Sequence, residues 1–441
     1  MRKINSRVGL CIGLLTVHAL SSCTSIKQGI GTKKLKKPMQ TMLGAALFSN
    51  VMGTPVPTNT PSVSNTTGLR NSTAMGTTLN PYDLSTTEAF NATEPHPYTC
   101  KDASIGIDML NAKRGPYGTT SLMDAAADSR IEDLKCLIQN KADLNVKDNN
   151  GRTALMYAVI NNKTDAVRLL IKNGANPELK DNQANTALIY AVESDQGDNV
   201  QLLIEENVAL FSHKVNSGTQ AAFIKAVQHG KENSVKAFIK SKKVDLNAKD
   251  SSGNTALMYA VKGNKERILK LLIETGANLD VQDRKGTTAL MHAVRNNKEN
   301  VFKVLLYRNA DVDVRDNSGS TALIHTIENN RTFLLELLIN KGADLNIPDN
   351  DGRTALMHAA EQNKLAILKS LISHKAIVDE QDNDGKTALI HAAEQNHLDV
   401  ARYLVEQAKA DKAIKDQSAK TALDYASESD NPDDQMIALL S

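Results

Sequence analysis

Four histidines recur at a fixed spacing in the C-terminal half of this 441-residue chain, at positions 292, 325, 358 and 391. Tyr157, Tyr190, Lys225, Tyr259 and Tyr425 hold the same place in other copies of one repeating motif. A column of imidazoles invites metal binding. Three of these histidines also head a His-x-x-Glu pair: His325 with Glu328, His358 with Glu361, and His391 with Glu394. Side chains three residues apart meet on a helix, so each pair could move a proton. Two considerations oppose both chemistries. Packed helical copies stand ~8–10 Å apart, whereas zinc sits ~2 Å from each ligand nitrogen. Acid–base chemistry also needs a pocket, and the sequence has no HExxH, GxSxG, GxxxxGK[ST] or GxGxxG motif to supply one. We therefore expect no catalytic residue, no bound metal and no cofactor.

Cys23 is the second residue of chemical interest. It follows three cationic residues, Arg2, Lys3 and Arg7, and a mainly apolar run over residues 8–20. That order is the layout of an export signal, and the run is too short to span a bilayer, which takes ~20 residues. Leu20-Ser21-Ser22-Cys23 resembles the lipobox of bacterial lipoproteins, which implies cleavage after residue 22 and acylation of Cys23. Two or more acyl chains hold a protein on a membrane, each buried methylene contributing ~0.8 kcal/mol. Lys27, Lys33, Lys34, Lys36 and Lys37 follow, and are either an anionic-surface contact or a solvated basic stretch. The expected location is an exported, membrane-anchored lipoprotein of the cell envelope. The alternative is an ordinary signal and a secreted protein.

Residues 1–22 are thus read as a signal peptide, and 23–99 as a lipidated N-terminus and flexible linker rich in Thr, Ser, Asn and Pro. Such a composition buries too little apolar surface to offset the entropy of ordering. Residues 100–441 form the folded domain, with repeats from about residue 116. Cys100 and Cys136 stand far from Cys11 and Cys23; Cys136 falls on an apolar packing position, and Cys100 reads as a lone thiol. Formal charge is near balance, with 52 basic and 50 acidic side chains, and no one-sign stripe marks a nucleic-acid binder.

Threonines at 120, 153, 186, 255, 288, 321, 354, 387 and 421, with Ala221 in the remaining place, recur every 33 to 35 residues. Thr followed by Ala-Leu opens a helix, because threonine caps while alanine and leucine propagate. Asn162, Asn264, Asn297, Asn330, Asn363 and Asn396, with Gly230 once, stand where that helix must end left-handed. A second apolar run follows, then Gly-Ala-Asn/Asp, then an Asp-x-x-Gly turn such as Asp148 to Gly151.

Ten such copies resemble the ankyrin repeat family from about residue 116 to the end. Its Thr-Pro-Leu-His is replaced here by Thr-Ala-Leu-Met or Thr-Ala-Leu-Ile, which loses proline's preset φ. The resemblance implies an all-α solenoid of stacked helix-turn-helix units with protruding turns, in which the histidine column is a framework position. The copy around residues 208–253 departs most, and a bend or weak interface is expected there.

The resemblance also places partner contacts on the turns and on the concave side of the first helices. The turn positions are Arg152, Asn185, Asn254, Thr287, Ser320, Arg353 and Lys386. The helix positions are Ile160 with Asn161, Glu193, Lys262, Arg295 with Asn296, Glu328 with Asn329, Glu361 with Gln362, and Glu394 with Gln395. This row changes sign along the stack, which would suit a partner of complementary charge order, unless Arg353 and Lys386 offset the acids. The expected function is a non-catalytic scaffold for a protein partner, a host protein being one candidate. The rival is a structural or self-associating envelope protein with no dedicated ligand.

Overall fold

The computed structural model describes residues 107–210, 217–429 and 432–441. The signal, Cys23, the linker and Cys100 lie outside the described residues. Among those described, all regular structure is helical apart from one isolated bridge between Arg114 and Thr119.

Ten helix pairs follow the ten repeats. Repeats 1 to 3 are Ser121–Asp128 with Ile131–Gln139, Ala154–Ile160 with Thr164–Lys172, and Ala187–Glu193 with Gly197–Leu210. Repeats 4 to 6 are Ser217–Gln228 with Glu232–Ser241, Ala256–Lys262 with Glu266–Glu274, and Ala289–Arg295 with Glu299–Tyr307. Repeats 7 to 10 are Ala322–Glu328 with Thr332–Lys341, Ala355–Glu361 with Leu365–Ser373, Ala388–Glu394 with Leu398–Glu406, and Ala422–Glu428 with Asp434–Leu440.

The threonines cap as their chemistry requires. Oγ1 of Thr153 accepts from the amide of Met156, and Thr186, Thr255, Thr321 and Thr387 repeat the contact. Methionine at the third helical position closes the cap from the other side: the amides of Thr120, Thr288 and Thr354 donate to the sulfurs of Met123, Met291 and Met357 at 3.4–3.5 Å. A thioether is a weak acceptor, but it satisfies an amide that would otherwise be orphaned in a buried turn. Six first helices then end on an asparagine in the left-handed region, from Asn162 at φ 53° to Asn396 at φ 54°, and Ser129, Asp195 and Gly230 take that conformation in repeats 1, 3 and 4.

First helices are wedged between neighbours, as the burial of every residue from Ala289 to Val294 shows. Second helices are amphipathic: Val301, Phe302, Leu305 and Leu306 face inward while Glu299, Asn300 and Lys303 face solvent. Each buried aliphatic side chain contributes ~1.5–3 kcal/mol before ordering entropy, and adjacent repeats supply the partners, so the stack is stabilised interface by interface.

Repeat 4 is irregular, as its sequence foretells, but its interface is filled. Its first helix has 12 residues against seven in most copies, and Phe223 and Phe238, both fully buried, meet edge to face at 5.6 Å between ring centroids. Asp195 of repeat 3 reaches across and accepts from the amide and the hydroxyl of Ser234, at 2.8 and 3.0 Å. Cys136 differs from its expected role as a free core thiol. It is half-buried and disulfide-bonded, its partner sulfur being outside the described residues.

Candidate protein-binding surface

Eight protruding turns, those opening repeats 2, 3 and 5 to 10, are each built on one aspartate. Oδ1 of Asp283 accepts from the amides of Lys285 and Thr287 at 2.8 and 3.0 Å, and Asp148, Asp181, Asp250, Asp316, Asp349, Asp382 and Asp416 do the same in their repeats. The other oxygen is free to accept once more. Nε2 of His292, His325, His358 and His391 donates to it at 2.8–2.9 Å, and tyrosine hydroxyls from Tyr157 and Tyr425 donate at 2.9 and 2.6 Å. The histidine column is therefore a set of ties between a turn and the first helix beneath it. Burial alone would raise the carboxyls of Asp283 and Asp316, but donors on both oxygens hold them below the usual range.

The turns are also laced to one another. The amide of Asn350 donates to Ser318 O at 3.0 Å and its side chain to Asn317 O at 2.8 Å, and Asn182, Asn317 and Asn383 repeat both bonds. Gly352, at φ +80°, permits the close approach, since a Cβ there would lie 2.6 Å from the Asn383 amide nitrogen.

Beside this lattice runs the row at the ends of the first helices. Arg353 Nη1 reaches both carboxylate oxygens of Glu361 at 3.1 and 3.2 Å. Lys386 Nζ lies 2.8 Å from both oxygens of Glu394, and Lys420 is paired with one oxygen of Glu428. Lys225 pairs with Glu193 of the preceding repeat. Of the three His-x-x-Glu pairs only His325 and Glu328 touch, at 2.9 Å; the glutamates of the other two are held by Arg353 and Lys386. The acids of the row are thus largely neutralised from within their own repeats.

His292 and His325 end in opposite protonation states. Both ring nitrogens of His325 face carboxylate oxygens, which only accept, so both carry protons. Burial opposes the charge, but Glu328 and Asp316 outweigh it and raise the imidazole above its ordinary value. Burial dominates at His292, where Lys262 and Arg295 add repulsion, and its imidazole is pushed down to about 4.

A family model describing ankyrin repeats matches residues 117–215, 223–316, 308–382 and 363–440. The chain belongs to the ankyrin repeat family. Comparison with curated proteins finds no match. Ankyrin repeats are interaction modules that generally lack catalytic activity, and this ankyrin domain is accordingly a protein–protein interaction scaffold.

The ankyrin domain sorts the expected contact residues by exposure. Arg295, Asn296, Asn161, Glu328 and Gln395 are exposed. Arg152, Ile160, Glu193, Lys262, Asn329, Arg353, Glu361, Gln362, Lys386 and Glu394 are half-buried. Asn185, Asn254, Thr287 and Ser320 are buried and do not project. Asn161, Asn296 and Asn329 fold their amides back onto the carbonyls of Tyr157, His292 and His325, which caps the helix end. Arg152, with Ile160 where Arg353 has Glu361, lies over the ring of Tyr190 at 5.8 Å. The turn aspartates are the functional framework that sequence reasoning left without a role; the signal was their constant distance of nine residues from the histidine or tyrosine.

Proposed function

We propose that this chain is an exported, lipid-anchored scaffold whose ankyrin domain docks another protein on the face formed by the turns and the ends of the first helices. One observation carries the reading. The turn aspartates, the histidine column and the asparagine ladder are all spent on the fold, while Arg295 and Gln395 at the ends of the first helices are exposed. A site made of side chains that the fold does not consume is free to be specified by a partner.

Export is supported by Cys136, because disulfides persist in oxidising compartments and are rare in reducing ones. With residues 1–22 removed and Cys23 acylated, Cys100 is the remaining sulfur for Cys136. Among the described residues no helix is long and apolar enough to cross a membrane, so the proposed tether is Cys23 itself.

Photo-crosslinkers placed at Arg295 and Gln395 in cells making the protein should capture a common partner, and one at Lys303 on the opposite side should not. Equal capture from Lys303 would remove the docking reading. The anchor is tested separately: Cys23→Ala should move the protein from the detergent phase to the aqueous phase, and unchanged partitioning defeats it. Protease digestion on intact cells then separates a surface location, with a host or environmental partner, from a periplasmic one.

A further inference from the structure

The row at the ends of the first helices is neutralised in repeats 7 to 10 and left basic in the middle of the stack. In repeats 8, 9 and 10 the turn residue eight positions before the helix-end acid is a cation, and the two pair: Arg353 with Glu361, Lys386 with Glu394, Lys420 with Glu428. Repeats 5 and 6 invert the charge at the helix end and provide no acid at the turn. Lys262 stands opposite Asn254, which gives it one neutral amide oxygen at 2.6 Å, and Arg295 stands opposite Thr287, which is buried and too short to reach it. Neither cation has an ion-pair partner among the described residues. The turn that opens repeat 6 adds Arg284 and Lys285, both exposed and likewise without an acid partner among the described residues.

The acids nearest this patch are already engaged. Asp250 and Asp283 each accept two turn amides on one oxygen and a Tyr259 or His292 donor on the other. Burial lowers the Lys262 ammonium, Asp283 and Asp250 offset this only in part, and Arg295 lowers it further, while burial and then Lys262 and Arg295 push the His292 imidazole down. Asp283 and Asp250 act on Lys262 from a distance but form no ion pair with it, so an incoming carboxylate could pair directly with both cations.

We propose that Lys262 and Arg295, flanked by Arg284 and Lys285, form a subsite for an acidic segment of the partner protein, one carrying Asp or Glu side chains. This rests on the docking reading above and gives it a chemistry. The ion-paired repeats on the C-terminal side then present a nearly neutral surface, so the acidic segment is placed in register on repeats 5 and 6.

The test selects random 12-residue peptides from a display library on the full-length protein and, in parallel, on K262E/R295E. Peptides enriched on the native protein should be rich in Asp and Glu. By fluorescence anisotropy their affinity should fall at least tenfold on K262E/R295E and on K262Q/R295Q, and hold within twofold on K236E/K240E, an equal charge change on an exposed second helix. Thermal melts of each variant confirm that the stack is intact. Acidic peptides that bind K262E/R295E as well as native protein would overturn the subsite and leave the docking reading standing. So would enriched peptides without acidic residues that are lost on altering Arg353 and Lys386. A 20-nucleotide oligo-dT that outcompetes the peptides would overturn a protein ligand in favour of a nucleic-acid one. Enrichment of no peptide at all would overturn the docking reading together with the subsite.

Discussion

Nδ1 of His325 lies 2.9 Å from Oε2 of Glu328, three residues along the same helix. At the same spacing His292 has Arg295, a cation where His325 has an anion. Each of these two histidines ties an equivalent aspartate, but Glu328 helps hold the His325 ring charged, whereas burial, then Lys262 and last Arg295, push the His292 ring toward its neutral form.

The two rings should therefore titrate in opposite senses. His325 has a folded value above its ordinary 6.5, so its stabilisation is complete below 6.5 and is lost as pH rises through the raised value. Glu328 and Asp316 are depressed, chiefly through His325 for the first and through Ser318 and His325 against burial for the second; their contribution is present above the ordinary carboxyl range and lost on acidification. His292, depressed to about 4, takes up more protons unfolded than folded between 6.5 and about 4, so it destabilises the stack as pH falls through that window. Side-chain NMR of the histidines should show His325 as imidazolium and His292 neutral at pH 6. Matching titrations for the two would refute the assignment. Glu328→Gln should lower the His325 value and cost about 1 kcal/mol or less near pH 6, since Glu328 is over a third exposed.

Gly352→Ala should destabilise the interface between repeats 8 and 9 by about 1–3 kcal/mol, because the added Cβ meets the Asn383 backbone at 2.6 Å and φ is +80°. Gly174→Ala, at φ +96° with open space around it, should lose only about 1 kcal/mol. Hydrogen exchange by repeat separates the two, and equal losses would show that the laced turns contribute nothing beyond backbone conformation.

Phe238→Ala should be among the severest single changes, at about 3–5 kcal/mol, since it opens a cavity beside Phe223 in the irregular repeat. Chemical denaturation should then resolve two transitions, one for each side of repeat 4. A single unshifted transition would mean that this interface is not limiting.

Reduction of the native protein should be needed before Cys136 reacts with a maleimide, and should cost about 2–4 kcal/mol. Peptide mapping without reduction should link Cys136 to Cys100. A link to Cys23 instead would end the acylation proposal, because that sulfur cannot be both a thioether and a disulfide.

Neutralising the ion-paired acids should matter little to folding. Glu361→Gln should change stability by no more than about 1 kcal/mol, as both it and Arg353 remain about a third exposed. A double-mutant cycle with Arg353→Gln measures the coupling, and a value above about 2 kcal/mol would make the row a structural element and not a neutral surface.

The repeat could be read from the sequence because a solenoid is built from local signals. Thr153 caps, Asn162 turns, the apolar residues Val167, Leu170 and Ile171 face inward, and the same types return 33 residues later, so each unit specifies itself and its neighbour at once. Even the irregularity of repeat 4 is visible as extra residues around Ala221. The candidate surface was only half legible. Spacing marked which positions leave the first helices, but not that Asn185, Asn254, Thr287 and Ser320 are buried.

What the sequence determined by itself was the unit and its count, since those follow from helix propensity, capping and period. What only the tertiary structure decided was how the charges are spent. Glu361 is claimed by Arg353 and not by His358, His391 by Asp382 and not by Glu394, while Lys262 and Arg295 are left without an acid. Each choice depends on contacts of 2.6 to 3.1 Å between a turn and the helix under it. A repeating sequence offers every such pair alike, and only the folded path of the turn brings one carboxylate rather than another within reach.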